Sequence, residues 1–336
     1  MTYLAQRATV ASTLRPILPG LAMTVGLATV AVIIQRFSGL VALSPLMLAM
    51  MLGMAMRNLI GVGPSMVPGI KFSMRRILRL SIMLLGFQLT YTQIADMGLA
   101  GFVAVAAILV ASFVVIKWVG RVLRVEPALA ELIAAGTAVC GASAIIATNT
   151  VTRGSDEDVA YAIACVTVFG SIAMLVLPIL APLLGIEGSA FGWWAGASIH
   201  EVAQVTGATF QGGLEATQSG TIAKLSRVVL LAPLILALAA LARRGARAGK
   251  SDAPPMPWFV LGFLAVVALN SVWPVTGPTK DLVVTVTTLL LTVALAAMGL
   301  ETDVRKLKAS GWRALALGAI GSVFISGIAL VALTVI

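Results

Sequence analysis

Residues 127–151 read PALAELIAAGTAVCGASAIIATNTV. The run is apolar and long enough for a membrane helix, which takes about 20 residues, yet its middle is built from Gly136, Thr137, Cys140, Gly141 and Ser143. Two glycines with a hydroxyl on either side let a helix break. In hydrocarbon, freed N–H and C=O groups are tolerated only where protein buries them or a cavity takes them up. Glycine also lets a ligand approach the backbone closely. The segment therefore predicts a discontinuous helix whose second half, beginning at Gly141 to Ser143, points N–H donors and a positive dipole end at an anion. Tight helix packing is the competing use of such small residues, and Cys140 reads as a small packing residue before it reads as a nucleophile.

The rest of the chain fits this setting. Of 336 residues, 60% are hydrophobic and 11% charged, against about 25% charged in ordinary soluble proteins. About 200 apolar residues can supply about ten spans, which leaves no room for a soluble catalytic domain. Apolar runs fall at 16–37, 40–60, 78–95, 99–120, 127–151, 158–185, 190–211, 221–242, 258–273, 281–299 and 312–336. The expectation is an all-α polytopic membrane protein of about eleven transmembrane helices in a single domain, 1–336, with 243–257 as a cytoplasmic linker loop between bundles. Cys140 and Cys165 form no CxxC and His200 is the only histidine, so no metal site, redox pair or other cofactor is expected.

The net charge of +10 raises nucleic acid as a partner, and the distribution of the charge answers it. With the N-terminus inside, eighteen of the 23 basic residues fall on the cytoplasmic side: Arg7 and Arg15, Arg57 to Arg79, Lys117 to Arg124, Arg243 to Lys250, and Arg305 to Arg313. Arg36, Arg153, Lys224, Arg227 and Lys280 are left for the other side. The positive-inside rule thus gives N-terminus in and C-terminus out, with contact to anionic membrane lipid and no nucleic acid. GARAGKS at 245–251 is one residue short of a phosphate-binding loop and lacks the preceding strand; it reads as a basic loop. The first apolar run follows two arginines as a signal peptide would, but at 22 residues it reads as a retained helix.

Residues 78–98 align with 291–311 at a constant offset of 213, matching Leu78 with Leu291, Gly86 with Gly299 and Gly98 with Gly311. These are the third and tenth spans, which enter from opposite sides, and inverted repeats of this kind mark secondary transporters.

The seventh span holds GASIHEVAQVTG at 196–207. At 1.5 Å per residue His200 falls about 15 Å deep, near the midplane. As a continuous helix the span would place His200 and Gln204 on one face, with Glu201 about 100° away. Intramembrane ionisable groups are costly and functional by default. In the eighth span Lys224 and Arg227 share a face; they either snorkel outward or line an anion-attracting vestibule, with one of them neutralising Glu201. Glu131, Asn270 and Gln88 are weaker candidates, and Asp156 to Asp158 read as a helix cap.

GTAVCGASAIIA, SIHEVAQV and KLSRVVLLAP, with the GFQLT and GLET turns, together resemble the YeiH family, bacterial inner-membrane proteins with a sulfate-exporter label. The resemblance runs from about residue 40 to 336. It implies the clan of cation/proton antiporters and bile-acid-type sodium symporters, with crossed discontinuous helices and a second helical panel. The family often has Asp where this chain has Glu201, a carboxylate on a longer arm. The expectation is a secondary transporter, not an enzyme, that exports or exchanges a small inorganic or organosulfur anion, sulfate or sulfite first. The substrate is expected at Gly136, Thr137, Cys140, Gly141, Ser143, His200, Gln204, Lys224 and Arg227, with Glu201 or His200 carrying the coupling H+, or Na+ as the coupling ion. A carrier of organic anions, sulfonates or carboxylates, is the alternative; an intramembrane enzyme or a channel stands behind it. GxxxG at Gly192 and Gly196 is compatible with a contact within the chain or with a homodimer.

Overall fold

A computed structural model of the chain describes residues 16–38, 44–244, 258–304 and 311–335. The GARAGKS motif and most of the 243–257 loop lie outside the described residues. All regular elements described are helical: α1 (Leu18–Ser38), α2 (Pro45–Leu59), α3 (Val67–Phe72, continued by a π-turn over Ser73–Ile77 into Leu78–Leu85), α4 (Tyr91–Asp96), α5 (Gly98–Val122), α6 (Pro127–Ala138), α7 (Ala142–Thr152) and α8 (Asp156–Leu183). They continue as α9 (Gly188–Ser198), α10 (Val202–Thr209), α11 (Gly213–Val229), α12 (Leu231–Arg244), α13 (Trp258–Val272), α14 (Gly277–Glu301) and α15 (Trp312–Ala332). Six stretches are long and apolar enough to cross a membrane: Leu18–Phe37, Gly98–Val122, Asp156–Leu183, Val202–Leu241, Gly277–Glu301 and Trp312–Ala332. The chain is an all-α membrane protein.

Local sequence sets the helix starts. Ser44 caps α2, its Oγ accepting from Met47 N at 3.3 Å, with Pro45 at the first helical position, where a missing N–H costs nothing. Ser155 and Asp158 form a reciprocal capping box at α8, and Asp156, Glu157 and Asp158 fill its first turn, where the helix dipole favours negative charge.

Side-chain contacts fix the direction of each crossing. Thr24 Oγ1 and Ser73 Oγ lie 2.9 Å apart, and Gly20 packs on Gly69, so α1 and α3 run parallel. Gly53 packs on the α14 backbone at Ala296, while Asn58 at the end of α2 donates to Thr302 O just past α14; α2 and α14 are parallel too. Asn270 Nδ2 donates to Leu89 O and Tyr91 N to Ser271 Oγ, which sets α13 parallel to α3. Gly120 faces Leu317 and Gly321 faces Ile116, so α15 is antiparallel to α5. The segments expected to be related at an offset of 213 fall on α3 and α14, which run in opposite directions; 305–310 at the end of the second lie outside the described residues.

Two of the eleven expected crossings do not cross. In the fifth, Thr152 Oγ1 at the end of α7 donates to Glu131 Oε1 near the start of α6 at 2.7 Å. Gly154 lies against Leu132 and Ala128, and Gly136 against Ile145. A continuous helix would separate Glu131 from Thr152 by about 30 Å at 1.5 Å per residue. The segment is instead a re-entrant hairpin whose arms α6 and α7 leave from the same face. The seventh expected span behaves alike: Gly212 after α10 abuts Phe191 near the start of α9. Gly192 packs on Ala216 and Gly196 on Gly220, so α11 runs parallel to α9 and α10 is the return arm. Its GxxxG face is therefore used inside the chain. Because α8 crosses between them, the two hairpins enter from opposite faces and meet tip to tip. Between them α11 and α12 form the next crossing.

The correction redistributes charge. Arg153, expected on the far side, closes the first hairpin on the face that also carries the ends of α2, α5 and α12, where Arg57, Arg121 and Arg244 stand. Lys224 and Arg227 leave the surface altogether, both 0% exposed. Among the described basic residues, only Arg36 and Lys280 remain at the opposite face. Arg124, Arg153 and Glu187 are all exposed, so the topology is testable: an impermeant thiol reagent labels Arg153→Cys from the same side as Arg124→Cys and opposite to Glu187→Cys. A crossing fifth helix would put the Arg153→Cys label opposite to Arg124→Cys, and Glu187→Cys on the side of Arg124→Cys.

Candidate functional site

The site is the meeting of the two tips. α6 ends at Ala138, and Val139, Cys140 and Gly141 turn the chain, with Gly141 N bonded to Gly136 O at 2.9 Å. Gly141 adopts φ +73°, ψ −131°, a region that side chains avoid. α9 ends at Ser198, and Ile199, His200 and Glu201 form the second turn without any glycine. Each first arm ends with main-chain oxygens that have no helical partner, in a place where water cannot supply one.

Lys224 and Arg227, three apart on α11, supply the partners. Lys224 Nζ donates to Val139 O at 2.8 Å and to Ile199 O at 2.7 Å. Arg227 Nε donates to Ala138 O at 2.9 Å, Nη2 to Thr137 O at 2.5 Å, and Nη1 to Gly196, Ala197 and Ile199 oxygens at 3.2, 3.0 and 3.1 Å. Two cations thus sit at the negative ends of two half-helices and tie the tips together. The expectation that they snorkel or line an open vestibule gives way to this: their donors are directed at the backbone.

The positive ends carry the carboxylate. Glu201 caps α10, its side chain accepting from Gln204 N while Gln204 Oε1 accepts from Glu201 N at 3.2 Å. Thr167 Oγ1 on α8 donates to Glu201 Oε1 at 3.1 Å. A methyl group on Gly141 would stand 2.5 Å from Glu201 Cγ, so the first tip leaves out a side chain where the second places one. α7 begins without a side-chain cap, and Ser143 in its first turn is exposed. Glu201 is only partly buried, whereas His200 is 1% and Gln204 0% exposed. Glu201 is thus the charged group of the tips that is not fully buried.

The break in the second hairpin separates His200 from Gln204, which do not share a face. His200 turns to α15, its Nε2 3.1 Å from Ser322 Oγ, and its buried Nδ1 has no hydrogen-bond partner among the described residues. Gln204 turns to α8, where Nε2 donates to Thr167 O at 3.0 Å and Ser171 Oγ at 3.4 Å. Gly136 supports the first hairpin from inside, Thr137 lies in the last turn of α6 and Cys140 in the turn that follows; Cys140 is buried and free. Among the candidates of lower rank, Glu131 pairs with Lys117 and Thr152 at the hairpin base, and Asn270 bonds Leu89 O. Among the described residues no group of His, Cys, Asp and Glu could hold a metal ion.

Residue reasoning missed Thr167, Ser171 and Ser322. The first two carry a signal in hindsight: Thr167, Gly170 and Ser171 put small and hydroxyl residues on one face of a mid-membrane helix. Ser322 carries the same kind of signal, since Gly318, Gly321 and Ser322 repeat that spacing on α15.

Residues 19–318 match the family described as conserved hypothetical protein 698. The UPF0324 inner membrane protein YeiH of Escherichia coli is 35% identical over 309 residues, covering 89% of this chain and 88% of its own. The chain belongs to the UPF0324 family. A UPF0324 membrane protein of Brucella melitensis is 33% identical over 311 residues, covering 90% and 86% of the two chains. One from Bacillus cereus is 31% identical over 316 residues, covering 91% and 88%. No solved structure matches the chain. The UPF0324 relatives are named as membrane proteins, and their names state no substrate.

Proposed function

We propose that the protein is a secondary transporter that moves a small anion, of the sulfate or sulfite class, across the bacterial inner membrane, most naturally outward and coupled to H+ or Na+. The observation that carries the reading is the tip-to-tip pair of hairpins at mid-membrane, with two buried cations behind the tips and one partly exposed carboxylate in front. Opposed helix ends at the midplane are the usual way transporters build an ion site from irregular backbone. Two cations against the single tip carboxylate favour an anion, and the exposed start of α7 offers N–H donors to it. The sulfate class rests on the resemblance noted above.

The asymmetry of the basic residues supports a cytoplasmic basic face, N-terminus inside and C-terminus outside. An inverted relation between the hairpins, each with its following crossing, is supported by the matched acceptors Val139 and Ile199, both held by Lys224. Because Lys224 and Arg227 join the tips, access alternates by moving both hairpins together against the panel formed by α1–α3, α13 and α14. The second hairpin rests on that panel, with Ser44 Oγ donating to Gly207 O at 3.1 Å and Leu295 3.4 Å from the place of a Gly207 methyl. On the first hairpin Ser143, Ile146 and Thr150 of α7 are exposed, which supports access from the basic face.

Flux of labelled sulfate and sulfite into proteoliposomes, beside sulfonates and carboxylates and under imposed pH or Na+ gradients, tests the reading. Glu201→Gln is expected to lower gradient-driven flux by about tenfold or more, within the range of ordinary coupling free energies, while exchange at equal pH persists. Absence of flux for every anion offered rejects the transporter reading.

A further inference from the structure

We propose that Thr167, Gly170 and Ser171 of α8 form a positioning platform that fixes the Glu201 carboxylate in place, with Thr167 as the positioning residue. The inference rests on the reading of Glu201 as the coupling group and adds the part that sets its proton exchange.

Thr167 is engaged twice. Its hydroxyl donates to Glu201 Oε1 at 3.1 Å, and its main-chain oxygen accepts from Gln204 Nε2 at 3.0 Å and from Ser171 Oγ at 2.5 Å. Gln204 in turn accepts from Glu201 N and supplies its own N–H to the Glu201 carboxylate. Gly170 makes this closeness possible: a methyl there would overlap the Gln204 amide, 2.8 Å from Cδ and 2.9 Å from Nε2. One turn of α8 thus fixes the rotamer of Gln204, and Gln204 with the Thr167 hydroxyl fixes the carboxylate. Thr167 is 7% and Ser171 3% exposed, so water does not replace either contact. Lys224 from α11 and Cys140 from the first tip are the titratable groups facing Glu201, with His200 beside it in the chain; α8 itself brings no charge to it. A donor aimed at a carboxylate favours the charged form, and its removal makes the group keep its proton to higher pH.

The test is an infrared pH titration of the purified protein, with the Glu201 carboxyl band identified by its loss in Glu201→Gln. Thr167→Val, equal in shape and lacking the hydroxyl, is expected to move the midpoint upward by about one pH unit, the size of one charged hydrogen bond. Thr167→Ser restores the wild-type midpoint. Ser171→Ala, which loosens Gln204, moves it in the same direction by less. If Thr167→Val does not fold, Ser171→Ala and Gln204→Leu carry the same comparison. An unmoved midpoint in the folded variants overturns the proposal. The titration needs no transport, so absent flux rejects the transporter reading while the midpoints still decide the platform. Where flux is measured, its pH profile shifts with the midpoint.

Discussion

Arg227→Met is expected to cost the protein more stability than any other single substitution in the tips. Thr137, Ala138, Gly196 and Ala197 lose their donor together, and Ile199 keeps only Lys224. An orphaned buried acceptor costs about 1–3 kcal/mol, and relaxation recovers only part of that. The sum is a loss of about 4 kcal/mol or more, comparable with breaking a buried ion pair. Thermal unfolding in detergent, followed by light scattering and gel filtration, measures it. Arg227→Lys keeps the charge but not the fork, and falls between the two. A melting temperature for Arg227→Met within a degree of wild type would sink the account of the clamp.

The second large effect belongs to Gly141→Ala. Two costs coincide there: a φ of +73° with ψ −131°, worth about 1–3 kcal/mol to a residue with a side chain, and a methyl 2.5 Å from Glu201 Cγ, an overlap of similar cost. The change is expected to destabilise by about 3 kcal/mol and to push Glu201 off its hydrogen bonds, so that flux falls together with stability. Gly136→Ala is the control. Its methyl meets the Ile145 side-chain end at 2.8 Å, which can turn aside, and its helical backbone carries no strain. The ordering Gly141 above Gly136, in both melting and flux, is the measurement that checks the tip geometry.

The membrane class, the positions of the apolar segments and the first break were legible in the sequence, because hydropathy and mid-span glycines report directly on burial and backbone freedom. The direction of α7 was not. A run such as 127–151 has the same length and polarity whether it crosses or turns back, and only the contact between Glu131 and Thr152 separates the cases. The second break was hidden for another reason: Ile199-His200-Glu201 contains no glycine, and the turn is held by a capping box that looks like ordinary polar residues on one helix face. Lys224 and Arg227 stand out in the sequence as cations inside a span, but their role depends on carbonyl oxygens, which every residue has and no sequence distinguishes. Gly192 and Gly196 suggested a helix contact correctly, and the partner, α11, follows from the hairpin that the pattern does not show.

The clamp also sets a timetable for biogenesis. Val139 emerges from the ribosome 85 residues before the Lys224 that satisfies it, which is on the order of ten seconds of synthesis. Through that interval the first hairpin holds main-chain oxygens that lipid cannot solvate. Its insertion must therefore wait beside the translocation machinery, or at the water interface, until α11 arrives, and the two tips then enter the bilayer as one event. A chain truncated before residue 224 would retain the arms of the first hairpin and lack the means to keep them in the membrane.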